Sequence, residues 1–235
     1  MTKHLDWVFA GLAVAAGYGL VRALRCEPTI RPGDRVFFVG DSLAVGLGPF
    51  FAKLAKDRGV EFYSASKTGT MMQNWLQNQT FKEKLEQSRA NVVMVCLGTN
   101  DAYSQRTQTE LRADADAMLA LARGDGRRKV LWILPPRLPK DDRATPAIRS
   151  TGSEVFESAS LKIPMGVDQI HPTSTGYAMW AGLVWRDAAM CAGRAPALGA
   201  VVPLSTVAAR LPDWLRASSS RSSGRLHVSL ARAPR

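Results

Sequence analysis

Apolar runs of strand length, too continuous for a half-exposed sheet, set the first limits on this chain. Arg35-Val36-Phe37-Phe38-Val39, Asn91 to Leu97 and Lys129 to Leu134 are runs of this kind. A strand wetted on one face alternates apolar with polar residues, whereas one that is apolar at nearly every position has to be covered on both faces. The arrangement that covers both is a parallel sheet between two layers of helices, so the expected class is α/β, a three-layer α/β/α sandwich with a mostly parallel sheet.

The segments between the runs have the periodicity this requires. Leu43 to Lys56 carries Leu47, Phe50, Phe51, Leu54 and Ala55 at helical spacing, and Gly59 follows as a stop. Val60–Ser64 reads as a further strand. Met71 to Ser88 reads as one helix, with Trp75, Leu76, Phe81 and Leu85 for its inner face, and Thr109 to Arg123 as another, ended by Gly124-Asp125-Gly126. Pro135-Pro136 stops the run from Lys129, and Arg137 to Thr151 reads as a charged, proline-containing loop. Glu154–Ser158 is expected to be a short last strand. Thr173 to Met190 is expected to be the closing helix, with Tyr177, Trp180, Leu183 and Val184 turned inward.

Both ends of the chain differ from this body. Trp7 to Val21 is uncharged and apolar, bounded by Asp6 and Arg22. It is shorter than the roughly 20 residues that span a bilayer, although extension over residues 5–24 with snorkelling ends makes up the difference, and it also suits an export signal. Residues 1–30 are therefore expected to form an anchor-like or signal-like segment and hinge, residues 31–193 the folded domain, and residues 194–235 a tail. The tail holds seven arginines against one acid, Asp213, so it supplies six of the chain's formal net charge of +11. Rich in Ser, Ala and Pro, it is expected to be largely without stable structure beyond one amphipathic stretch, Val207–Leu215. Anionic lipid or polymer is the partner such a tail suits. No motif for reading nucleic acid accompanies the charge.

Cys26, Cys96 and Cys191 form no CxxC pair and no regular framework, and Cys96 sits within an apolar run as a small hydrophobe. There is no G-x-S-x-G elbow, phosphate loop, dinucleotide fingerprint or H-E-x-x-H helix, and no cofactor or metal is expected. What the body does contain is a single histidine, His171, in Asp168-Gln169-Ile170-His171, and a serine directly after the first strand, in Gly40-Asp41-Ser42-Leu43. A neutral serine needs an imidazole to take its proton and a carboxylate to orient that imidazole. Gly69 follows the second strand and Gly98-Thr99-Asn100-Asp101 the third. In an open parallel sheet, groups placed just past the carboxyl ends of strands converge. Each residue also has a plainer reading: Ser42 as a helix N-cap, Gly69 as a turn glycine, Asn100 and Asp101 as capping residues, His171-Pro172 as a helix start. Asp41 and Asp101 are expected to hold their loops by local bonds to backbone N–H groups.

These four blocks, in this order, resemble the SGNH/GDSL hydrolase superfamily over about Arg35 to Met190. The resemblance implies a serine nucleophile at Ser42, a general base at His171 and its orienting acid at Asp168. It also implies an oxyanion hole from the N–H groups of Ser42 and Gly69 and the amide of Asn100. The implied activity is hydrolysis of small acyl esters through an acyl-enzyme. A cell-envelope carbohydrate carrying O-acetyl groups is the expected substrate, at a membrane-anchored or exported, periplasmic location. A lipid ester or thioester hydrolase of the same family, and a membrane-linked binding module without turnover, are the other readings.

Overall fold

The computed structural model describes residues 28–190. The apolar segment at residues 5–24, the basic tail and its Val207–Leu215 stretch lie outside the described residues. Five strands, β1 (Arg35–Gly40), β2 (Glu61–Ser66), β3 (Val92–Cys96), β4 (Lys129–Ile133) and β5 (Glu154–Phe156), form one sheet in the order β2-β1-β3-β4-β5. Every strand pairing in it is parallel, a stricter outcome than the mostly parallel sheet expected from the sequence. This is the doubly wound order whose switch point lies between β1 and β3.

The fully apolar runs occupy the centre, as their composition demands. Val36 to Val39 and Val92 to Leu97 are at most 2% exposed, whereas the edge strand β2 is partly open. On one face Phe37, Val39, Val93, Val95 and Trp132 pack with residues of helices α2 (Met72–Leu76), α3 (Gln79–Gln87), α5 (Gln108–Arg123) and α6 (Ala144–Arg149). On the other face Phe38 meets Phe51 of α1 (Ser42–Lys56) edge-on at 5.0 Å, and Phe51 meets Trp185 of α7 (Ser174–Met190) at 6.1 Å. Each buried ring removes enough apolar surface from water to contribute about 2–3 kcal/mol. The short α4 (Thr99–Ala102) follows β3.

Several expectations are corrected. The single helix expected from Met71 to Ser88 is two, because Asn78 leaves helical geometry and its side chain accepts from Phe81 N–H to cap a new start. Arg137 to Thr151 is not all loop: Asp142 Oδ1 accepts from the N–H groups of Ala144 and Thr145 and starts α6. Pro146 is tolerated there because it falls in the first turn, where its missing N–H would have no helical partner. Leu183 is only partly buried, and Trp185, fully buried, takes the inward position instead. Thr29 and Ile30, expected in the hinge, are buried, and their N–H groups both donate to Ala188 O at the end of α7.

Candidate active site

Ser42 is the first residue of α1 and follows β1 through Gly40 and Asp41. The turn is tight. A Cβ on Gly40 would lie 2.2 Å from Cys96 O and 2.4 Å from Ala44 Cβ, so only glycine lets the strand end pass so close to β3. Asp41, not Ser42, is the helix cap: its Oδ1 accepts from Leu43 N–H at 2.9 Å, and its carbonyl from Val45 N–H. The N-cap reading of Ser42 is thereby excluded, and its hydroxyl is left to other partners.

The hydroxyl's partner is His171. Ser42 Oγ lies 2.8 Å from His171 Nε2, across 129 positions of sequence. On the other side of the ring, His171 Nδ1 lies 2.6 Å from Asp168 Oδ2. A carboxylate only accepts, so Nδ1 carries the ring proton and Nε2 offers its lone pair to the serine hydroxyl. Asp168 Oδ1 also accepts from Ile170 N–H and His171 N–H, which closes the turn on itself. The imidazole and these two N–H groups hold the Asp168 carboxyl down at about 2. It therefore stays ionised across the physiological range.

The His171 side is a compact loop. Gly166 N–H donates to His171 O at 2.7 Å, Met165 bridges Pro172, and Thr173 N–H donates to Pro164 O. Gln169, between Asp168 and His171, has a left-handed backbone (φ +58°). Its amide N–H donates to Gly166 O, and its Oε1 accepts from Arg137 Nη1. Nothing in the pattern around Gln169 announces that partner, 32 positions earlier.

Asn100 stands on α4 beside this line. Its Nδ2 donates to Thr70 O at 3.0 Å and, at 3.4 Å, to Asp41 Oδ2, so it joins the loop after β2 to the serine loop. Gly69 is exposed in that loop with φ +75°, and reaches Asn100 through its neighbour Thr70. Thr70 in turn accepts from Trp75 Nε1 and donates to Lys67 O. Asp101 departs from the local role expected of it. Both its carboxylate oxygens accept from Met72 N–H, 29 positions earlier, at 3.2 and 3.3 Å. Burial drives both hidden acids upward, Asp41 to about 6 and Asp101 to about 7, against the N–H bonds that favour their charged forms.

Another contact sets the spacing of the two helices that carry the site. A Cβ on Gly46, one turn beyond Ser42, would lie 2.2 Å from Tyr177 Cζ. Tyr177 of α7 thus lies directly over α1, and its ring stacks on Trp180. Among the described residues no helix is long and apolar enough to cross a membrane.

Comparison with solved structures returns the same fold. EstA, an esterase from Pseudoalteromonas sp., superposes with a TM-score of 0.54 at 16% identity, over 65% of this chain and 96% of that one. A variant of Axe2, an acetyl xylan esterase from Geobacillus stearothermophilus, gives 0.52 at 14%, over 71% and 99%. A protein of the G-D-S-L family from Desulfitobacterium hafniense DCB-2 gives 0.51 at 13%, over 64% and 97%. No curated protein matches in sequence. The model of the family described as "Protein of unknown function (DUF459)" matches residues 35–162, a stretch that holds Ser42, Gly69 and Asn100 and ends before Asp168 and His171. The chain belongs to the DUF459 family and has the SGNH/GDSL hydrolase fold.

Proposed function

We propose that this protein is a serine ester hydrolase. Ser42 Oγ attacks the ester carbonyl while its proton passes to His171 Nε2. The imidazolium that results is stabilised by the Asp168 carboxylate. The tetrahedral intermediate collapses as the alkoxide leaves with the proton returned from Nε2. Water, deprotonated by the same nitrogen, then releases the acid and restores Ser42. The oxygen that becomes negative in these steps is taken by the N–H groups of Ser42 and Gly69 and by the Asn100 amide. Each such donor typically contributes about 10²–10³ in rate, because it meets a charge that exists only in the transition state. Asn100 gives up its bond to Thr70 O or Asp41 for that oxygen.

One observation carries this reading: the unbroken line from Ser42 Oγ through the imidazole to Asp168, at 2.8 and 2.6 Å. The substrate this reading favours is a short acyl ester, an O-acetyl group on a carbohydrate of the cell envelope. An acetyl xylan esterase among the proteins of like fold is in keeping with it. The test is release of p-nitrophenol from p-nitrophenyl acetate and from longer-chain esters. Ser42→Ala is expected to lower kcat by at least about 10³. Equal rates in parent and variant remove Ser42 as nucleophile. A preference for long acyl chains replaces the acetyl reading with a lipid one.

A further inference from the structure

On the β4 and β5 side of the sheet, beside the turn from Asp168 to His171, lies a groove of about 470 Å³. Its lining includes Pro136, Arg137, Ser160, Lys162, Pro164 and Met165. The lining is bonded to the turn that carries His171. Pro164 O accepts from Thr173 N–H, Met165 bridges Pro172, and Arg137 Nη1 donates to Gln169 between Asp168 and His171.

Charge distinguishes this groove. Arg137 and Lys162 are both exposed, and the lining contains no acid. The other arginines of the same connection are engaged elsewhere. Arg149 bonds both oxygens of Glu157 at 2.8 and 2.7 Å, and Arg143 donates to Ser104 O. Arg137 bonds a neutral amide oxygen, and among the described residues it forms no ion pair.

We propose that this groove is a subsite for an anionic group, a carboxylate or a phosphate, on the carbohydrate that bears the ester. The proposal rests on the ester-hydrolase reading and narrows its substrate class. A guanidinium presents paired N–H donors that match the oxygens of either anion, and Lys162 adds a second, mobile positive charge. Because Arg137 is bonded to the turn that carries His171, an anion held there is held in register with the base. The scissile acyl group then lies beside Ser42 and the charged ring in the groove.

Binding and turnover are measured separately on the full chain. Oligogalacturonate binding is followed by calorimetry for the parent and for Arg137→Gln/Lys162→Gln. The control is a charge-matched variant, Lys56→Gln/Lys84→Gln, with both changes near the helix ends that face the amino ends of the strands. The groove variant is expected to bind about tenfold more weakly than the control, as the loss of two partly exposed ion pairs implies. Stronger competition by free galacturonate assigns a carboxylate, and stronger competition by inorganic phosphate assigns a phosphate. Failure of the parent to bind, or equal loss in the two double variants, overturns the subsite. Groove-dependent binding without Ser42-dependent hydrolysis of p-nitrophenyl acetate keeps the anion site and removes the ester-hydrolase reading.

Discussion

Two aspartates flank the same serine–histidine pair in opposite surroundings. Asp41, at the β1–α1 junction, is fully buried, and burial raises its carboxyl to about 6. Asp168 is half exposed, and hydrogen bonds from His171 and two backbone N–H groups hold it down at about 2. The difference extends to the regions around them. The serine side is part of the core: Gly40 touches β3, Leu43 and Ala44 are fully buried, and Asp41 caps the helix. The histidine side is a surface turn closed by its own hydrogen bonds. One end of the site is built by the fold and the other is built on it. Substitutions at the first are therefore expected to cost stability, and at the second activity alone.

The largest expected effect tests the exposed end. Asp168→Asn removes the charge that fixes the imidazole tautomer, and kcat on p-nitrophenyl acetate should fall by about 10⁴. Its thermal midpoint should stay within about 2 °C of the parent, as for a surface change. A large drop in midpoint would erase the contrast. Next is Gly40→Ala, which forces a Cβ into Cys96 O. Backbone cannot retreat as a side chain can, so urea unfolding should show a loss of about 4 kcal/mol, or no folded protein. Full stability in this variant would show that the junction is looser than its contacts imply.

The buried acids sharpen the comparison through pH. Asp101, like Asp41, holds its proton more tightly when folded than unfolded. The stability this contributes is therefore fully present below about pH 4 and is lost as pH rises through about 7. Asp101→Asn should flatten this slope by up to about 3 kcal/mol between those limits. Denaturant titrations of parent and variant at pH 4, 6 and 8 check it, and parallel curves would remove the burial account. Asp168, lowered rather than raised, has the opposite sign: its contribution, kept small by solvent screening at a half-exposed carboxylate, is present above about pH 4 and lost as pH falls through about 2.

The smallest expected change lies between the two regions. Gly46→Ala pushes α1 against the Tyr177 ring, and ring displacement should cost about 1–2 kcal/mol. Because α7 follows the His171 turn, the same shift should lengthen the Ser42–His171 bond and lower kcat more than it raises KM. Unchanged kcat would separate helix spacing from the site.

How much of this was readable beforehand depends on the distance over which each feature is set. The central strands, and helices α1, α5 and α7, were legible to within a few residues because periodicity and stops belong to single segments. The break at Asn78 and the start at Asp142 do not show in periodicity, because a capping bond acts locally and competes with the pattern around it. The residue types of the site were also visible in the sequence: one histidine in the body, an acid three positions before it, and a serine after the first strand.

Other features existed only once the chain was packed. The order β2-β1-β3-β4-β5 places the serine loop beside the loop after β3. Asp41 rather than Ser42 became the cap, Asp101 found Met72, and Arg137 reached Gln169. Composition and spacing determined which segments had to be buried and which side chains could do chemistry, because those are properties of neighbouring residues. Partnership across many positions was decided by tertiary structure, because burial and close approach belong to the packed sheet and not to any segment of it.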